Sequence, residues 1–183
     1  MRDTIRLQGR RHGFTLPELL IVIAVIGILA SMAAPNFRDM IQRLRISAAA
    51  NDFLSAIYLA RAEAIRQGSR VDLVPADASG DWSRGWVVFI DENGNQRPDG
   101  GERIVFAHAG APRGMSITAN LTDSKVQYLA YTGSGRTRTN ASSQATQLGT
   151  FTFRLGRQVR KIKLNFLGRP RVCNPDTDGT VNC

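Results

Sequence analysis

The run from Leu19 to Ala34, LLIVIAVIGILASMAA, holds no charged residue, and the uncharged stretch continues to Phe37. A helix needs about 20 mainly apolar residues to cross a bilayer, and this segment reaches that length. A core helix in a chain of 183 residues would show a polar face, and this run has none. Arg2, Arg6, Arg10 and Arg11 precede it, with Asp3 the one acid among them. The positive-inside rule keeps that end cytoplasmic and sends the remainder across the membrane. Ser31-Met32-Ala33-Ala34 makes only a weak secretory cleavage site after the run.

Past Pro35 the helical pattern continues but becomes amphipathic. Phe37, Ile41, Leu44, Ala48, Phe53, Ile57, Ala60 and Ala64 recur mostly at three- and four-residue steps, and Gly68 supplies a stop. One helix from residue 14 to 67 would be roughly 80 Å long. Pro35 is expected to kink or locally melt it. From Val71 onward, turn residues separate short apolar runs. Gly85–Ile90 is expected as a buried strand, with Ile104-Val105-Phe106 returning beside it. Met115, Ile117, Ala119 and Leu121 alternate, as do Phe151, Phe153 and Leu155, then Ile162, Leu164 and Phe166. The expected fold class is α+β: one long helix, its first half spanning a membrane, against a mainly antiparallel β-sheet.

The segment before the span reads Gly13-Phe14-Thr15-Leu16-Pro17-Glu18. It resembles the type IV prepilin signature, in which a peptidase cuts after Gly13 and methylates the new terminal Phe14. Pro35 also sits where such proteins commonly carry a proline. Ala60–Ile65, Trp82–Asn95 and a closing strand with Gly-Arg-x-Arg are similar to the GspH/FimT-like minor pilins and pseudopilins. The resemblance implies a pilin-like fold in four parts: a leader at 1–13, a membrane half-helix at 14–36, an amphipathic half-helix at 37–67 and a β-rich head at 68–183. It implies a single-pass inner-membrane protein with a periplasmic head, which then moves to a pilus tip or filament. Its partners would be prepilin peptidase and other major and minor pilin subunits. A carboxylate at the edge of hydrocarbon is expensive. In pilins the residue matching Glu18 is thought to pair with a neighbouring subunit's N-terminal amine.

Cys173 and Cys183 lie in the last eleven residues. Across the membrane, in an oxidising compartment, they are expected to form a disulfide, whereas in the cytosol they would be inert thiols or metal ligands. Closing so short a loop stabilises a fold by about 2–3 kcal/mol in the chain-entropy account.

Enzymatic chemistry finds no support. The histidines are His12 and His108, no nucleophile–base set has persuasive spacing, and no phosphate-cradling loop or cofactor motif occurs. Oxygen-bearing side chains from Asp91 to Glu102 follow EF-hand spacing. Gln96 stands where that loop requires glycine, and Asp-x-Asn-Gly-Asn is ordinary turn chemistry. A structural turn is the favoured reading there.

The charge balance is 24 Lys and Arg against 15 Asp and Glu, and it favours polyanionic partners. From Arg136 to Arg171 there are nine basic residues and no acid: Arg136, Arg138, Arg154, Arg157, Arg160, Lys161, Lys163, Arg169 and Arg171. Alternation puts Lys161 and Lys163 opposite Ile162 and Leu164. If Gly168-Arg169-Pro170-Arg171 is extended, as Pro170 favours, both guanidinium forks point one way, which suits successive phosphates. Gly135-Arg136-Thr137-Arg138 repeats the pattern. In the DNA-uptake members of the resembled family, a C-terminal Gly-Arg-x-Arg is associated with DNA binding. The resemblance therefore implies phosphate-based, largely sequence-independent binding of double-stranded DNA during natural transformation. Pairing with acidic neighbours in a filament, in a structural minor pilin or a type II secretion pseudopilin, and simple solvation are the competing readings. With Phe151, Phe153 and Phe166 all expected in the core, base stacking has no support from the sequence.

Overall fold

The computed structural model describes residues 15–183. Met1–Met40 and Ile41–Cys183 form two separate compact units, and helix α1 (Leu16–Gln67) contributes to both. In the first unit Leu19, Leu20, Ile21, Val22, Ile23, Val25, Ile26, Ile28 and Leu29 are all exposed. Among the described residues no single helix is long and apolar enough to cross a membrane. The pair Leu16–Ser31 and Asn36–Gln67 meets that requirement together, by length and composition. Pro35 falls in the break between them, and a proline has no backbone N–H to donate to the helical ladder.

In the second unit nine strands form two antiparallel sheets. β1 (Val71–Pro75), β2 (Gly85–Ile90), β3 (Ile104–Ala109), β5 (Leu129–Tyr131) and β6 (Thr137–Arg138) make the first, in the order β3-β2-β1-β5-β6. β4 (Met115–Leu121), β7 (Gly149–Leu155), β8 (Gln158–Leu164) and β9 (Pro170–Cys173) make the second, in that order. A short helix, α2 (Pro175–Asn182), follows. The strand returning beside β2 is β3, as its apolar run implies. Turn signals locate strand ends but not partners, so the expected single sheet is in fact two. The short β5 and β6 carry too little alternation to stand out in the sequence.

One stripe of α1 feeds the core between the sheets: Ile46, Ala49, Ala50, Phe53, Ala56, Ile57, Ala60 and Ala64. Its small residues permit close approach. Phe53 fills the centre, with ring centroids 5.3 Å from Trp82, 5.0 Å from Trp86, 4.7 Å from Phe151 and 5.6 Å from Phe153. The helix stripe differs from the expected one at its start, because Phe37, Leu44 and Ala48 are exposed. Leu44 to Ala48 to Phe53 demands a five-residue step, which leaves a helical face. The 46-49-50-53 spacing does not.

Glu63, on the last turns of α1, is buried and ion-paired to Arg66 at 2.5 Å and to Arg103 at 3.1 Å. The Arg66 hydrogen bond, then the Gln67 amide and the two guanidinium charges, lower its pKa to about 2. At the 91–102 loop the Asp91 carboxylate accepts from the backbone N–H groups of Gly94, Asn95 and Gln96 and pairs with Arg70 at 3.1 Å. Its oxygens are thus committed to holding the turn. Among the described residues no group of three or more His, Cys, Asp or Glu is placed to hold a metal ion.

Candidate nucleic-acid interface

β8 pairs with β7 across a two-residue loop, Gly156-Arg157, in which Gly156 has φ +58°. Only glycine adopts that conformation readily, and it sets the register of the hairpin. Directly opposed residues in antiparallel strands share a face. Phe151 therefore joins Ile162 on the core side, while Thr152 joins Lys161 and Thr150 joins Lys163 on the outside. β9 extends this pattern. Ile162 opposes Val172 and Leu164 opposes Pro170 inward, and Lys163 opposes Arg171 outward. Arg154 lies two residues from Thr152 on β7 and belongs to the same outer face. Arg154, Lys161, Lys163 and Arg171 thus form a basic surface on one side of the second sheet.

Arg160 does not belong to it. Its register partner is Phe153, so its Cβ shares the core-side face of β8, where the half-buried side chain donates from Nη1 to its neighbour Val159 O at 2.7 Å. The run Arg160-Lys161 looks like one patch in sequence, but strand alternation splits it.

Between β8 and β9 the chain turns at Asn165-Phe166-Leu167-Gly168-Arg169. Gly168 N donates to Asn165 O at 2.9 Å, and Asn165 N donates to Arg169 O at 3.1 Å. The Asn165 side-chain oxygen accepts from Leu167 N and from Arg169 N, both at 2.9 Å. Gly168 has φ +71°, and a Cβ there would lie 2.9 Å from Thr137 N and 3.1 Å from Thr137 Cγ2. The Tyr131 hydroxyl donates to Gly168 O at 2.7 Å. The turn is therefore fastened to β5 and β6 of the other sheet. Beside it a groove of about 460 Å³ is lined by Lys163, Leu164, Asn165, Arg169, Pro170 and Arg171.

The upstream Gly-Arg-x-Arg segment meets this turn. Gly135, also at positive φ, packs so closely on α1 that a Cβ would sit 2.7 Å from Ile65 Cδ1. Arg61 Nε donates to its carbonyl at 2.9 Å. The next residue, Arg136, is exposed and sets its guanidinium 5.2 Å from the Phe166 ring centroid. Arg138, opposite Ala130, is half-buried and donates from Nε to Thr139 O. It is not among the groove residues. Of the two segments, Arg169 and Arg171 line the groove, Arg136 lies against the Phe166 ring of the adjoining turn, and Arg138 stands apart.

Phe166, expected in the core, is 62% exposed. β8 ends at Leu164, so the alternation that placed Phe166 inward stops two residues short. The sequence signal for this was a turn pattern, Asn at the first position and Gly at the fourth, rather than a longer strand.

Cys173 and Cys183 form a disulfide with Cα atoms 5.8 Å apart. In α2, between the two cysteines, Asp178 has its pKa lowered, first by the backbone N–H of Asn174, then by Thr177, with Arg171 and Arg160 adding their charges. At the other end of the chain, Glu18 lies in the first turn of α1 and accepts from Thr15 N at 3.5 Å. Gly13 and Phe14 lie outside the described residues. His108 is stacked on Trp86 with centroids 4.0 Å apart, away from the basic groove.

The profile of the family described as Type II transport protein GspH matches residues 49–168, and that of the prokaryotic N-terminal methylation motif matches residues 8–34. The pilin-like protein PilA1 of Thermus thermophilus is 37% identical over 101 residues, 55% of this chain and 61% of that protein. A fimbrial protein of Pseudomonas aeruginosa is 34% identical over 89 residues, 48% of this chain and 57% of that one. The matched segments thus span less than two thirds of these relatives' own length. Among solved structures, the type IV minor pilin FimU of Pseudomonas aeruginosa superposes with a TM-score of 0.55 at 17% identity, covering 74% of this chain and 92% of that one. The minor pseudopilin EpsH of Vibrio cholerae gives 0.50 at 14% identity, with 72% and 98% covered. Both show the same fold, a long N-terminal helix on antiparallel sheets. The methylation motif implies membrane anchoring and assembly into a pilus or pseudopilus. With its profile matched over well over half its length, the chain belongs to the GspH family, a family of minor pilins and pseudopilins.

Proposed function

We propose that this chain is a minor pilin of a type IV pilus that binds double-stranded DNA during uptake for natural transformation, gripping phosphates with little regard to sequence. The observation that carries the reading is the groove in which Lys163 of β8, Arg169 of the turn and Arg171 of β9 come together, beside a turn fastened to the other sheet. Arg154 and Lys161 extend the same charge over the outer sheet face, and Arg136 adds a guanidinium beside the turn. A preorganised set of cations loses little side-chain freedom on binding. Such a site has no catalytic role. In this reading the leader is cut after Gly13, Phe14 becomes the methylated terminus and Glu18 pairs with a neighbouring subunit's amine. The head stands in the periplasm before the subunit joins a filament at the cell surface, and major and minor pilins are its other partners.

The test uses the full chain in nanodiscs of uncharged lipid, titrated with random duplexes over a range of salt. About five phosphate contacts give a slope of log K against log salt near −4.5. Arg169→Gln/Arg171→Gln is expected to weaken binding severely and to flatten that slope by about 2. Equal binding by both proteins would remove the site from this groove. Absence of binding by either would favour the second reading, a structural minor pilin or pseudopilin that primes filament assembly. The fold it shares with EpsH supports that alternative, and co-purification with other minor subunits tests it directly.

A further inference from the structure

Phosphate binding accounts for the cations but not for the exposed aromatic ring on the turn that joins their two strands. Single exposed apolar side chains are common on protein surfaces, so exposure of Phe166 alone says little. Its setting says more. The backbone on either side of it is held by three hydrogen bonds to Asn165 and by the fit of Gly168 against Thr137. The ring is therefore presented on a fixed turn rather than a loose one. The Arg136 guanidinium attends it at 5.2 Å, close enough for a cation–π interaction. The two ends of the same turn, Asn165 and Arg169, line the groove together with Lys163 and Arg171, so the ring stands next to that groove. An aromatic platform beside a cationic track is the arrangement that binds unpaired nucleic-acid strands, because every base has a π-face and every nucleotide a phosphate. Paired bases in a duplex are already stacked on their neighbours and gain nothing from such a ring.

We infer that the turn Asn165–Arg169 is a nucleobase-stacking subsite, in which an unpaired base lies against Phe166 while Lys163, Arg169 and Arg171 hold the adjoining phosphates. This rests on the nucleic-acid reading above and deepens it. The groove takes single strands, frayed ends or gaps more tightly than intact duplex, without distinguishing one base from another. Arg136 supports the ring from its own side and offers a second planar group for stacking.

The experiment compares three ligands of equal length on the full chain in uncharged nanodiscs: single-stranded oligo-dT, the same oligonucleotide with abasic sites throughout, and a duplex. The wild type is expected to bind oligo-dT about tenfold more tightly than the abasic strand, which keeps the phosphates and lacks the bases. Phe166→Ala should lose about tenfold on oligo-dT, with its abasic and duplex binding unchanged. Phe166→Tyr, which preserves the ring, should restore oligo-dT binding. A thermal unfolding midpoint equal to wild type will show that Phe166→Ala is folded, and Phe166→Leu serves in its place if it is not. Equal wild-type binding of abasic and ordinary strands overturns the subsite. So does a Phe166→Ala variant that binds every strand as wild type does but no longer co-purifies with other pilin subunits. In either case, loss of binding in Arg169→Gln/Arg171→Gln leaves the phosphate site standing. If that double variant binds all three ligands normally, the DNA reading itself falls and the subsite with it.

Discussion

Gly168 shows how one missing side chain positions two charged ones. Its φ of +71° and the 2.9 Å that would separate a Cβ from Thr137 N leave no room for alanine without moving the turn. Gly168→Ala is expected to cost about 1–3 kcal/mol of stability and to reduce nucleic-acid affinity, since Arg169 and Arg171 would lose their common placement. Denaturant unfolding and the duplex titration check the two effects together. An unchanged midpoint would mean that the turn relaxes at no cost. Glu63 makes a different kind of contribution. Its folded pKa of about 2 lies below its ordinary 4.5 because Arg66, Gln67 and Arg103 favour the charged form. The stabilisation is therefore complete above pH 4.5 and is lost as pH falls toward 2. Thermal midpoints of wild type and Glu63→Gln across that window should converge on acidification. Parallel curves would show that the pair contributes nothing dependent on the charge.

Among the elements, α1 beyond Ile41 is held mainly by what it presents inward. Phe53 stands at its centre, with four aromatic neighbours drawn from both sheets and from the turn at Trp82–Arg84. Phe53→Ala is expected to destabilise the unit by about 3–5 kcal/mol, read as a fall in the denaturation midpoint with the secondary structure retained below it. A loss under 1 kcal/mol would mean that the neighbours close the cavity. Much of this arrangement could be seen in the sequence. Period-3.6 and period-2 patterns fix which residues face inward, so the helix, β4 and β7 stand out from the chain alone, and β2 does so as an unbroken apolar run. Patterns of that kind say nothing about where alternation stops. Phe166 continues the parity of Ile162 and Leu164, yet the hydrogen bonds to Asn165 end the strand before it. The same limitation applies to partner choice, so the division into two sheets is not legible in the sequence.

For the protein as an assembled object, the basic region was legible as composition but not as a surface. Nine cations without an acid mark the segment 136–171, and only the strand register separates Lys161 and Lys163 from Arg160. Arg136 and Phe166 are thirty residues apart in sequence, beside strands of different sheets, and come within 5.2 Å of each other where Gly168 seats against Thr137. No local pattern contains that adjacency. The N-terminal signature was legible because processing and membrane insertion read a linear string, whereas a polyanion reads a folded surface.

The hydrogen bond from Tyr131 to Gly168 has a mechanical consequence. β9 is the outermost strand of its sheet, and tension applied to an edge strand would unzip it one bond after another. Anchoring the loop before it to the opposite sheet passes such a load into β5 and onward to the core. A load applied at that turn is thus shared with the body of the head and not borne by its most easily peeled strip alone.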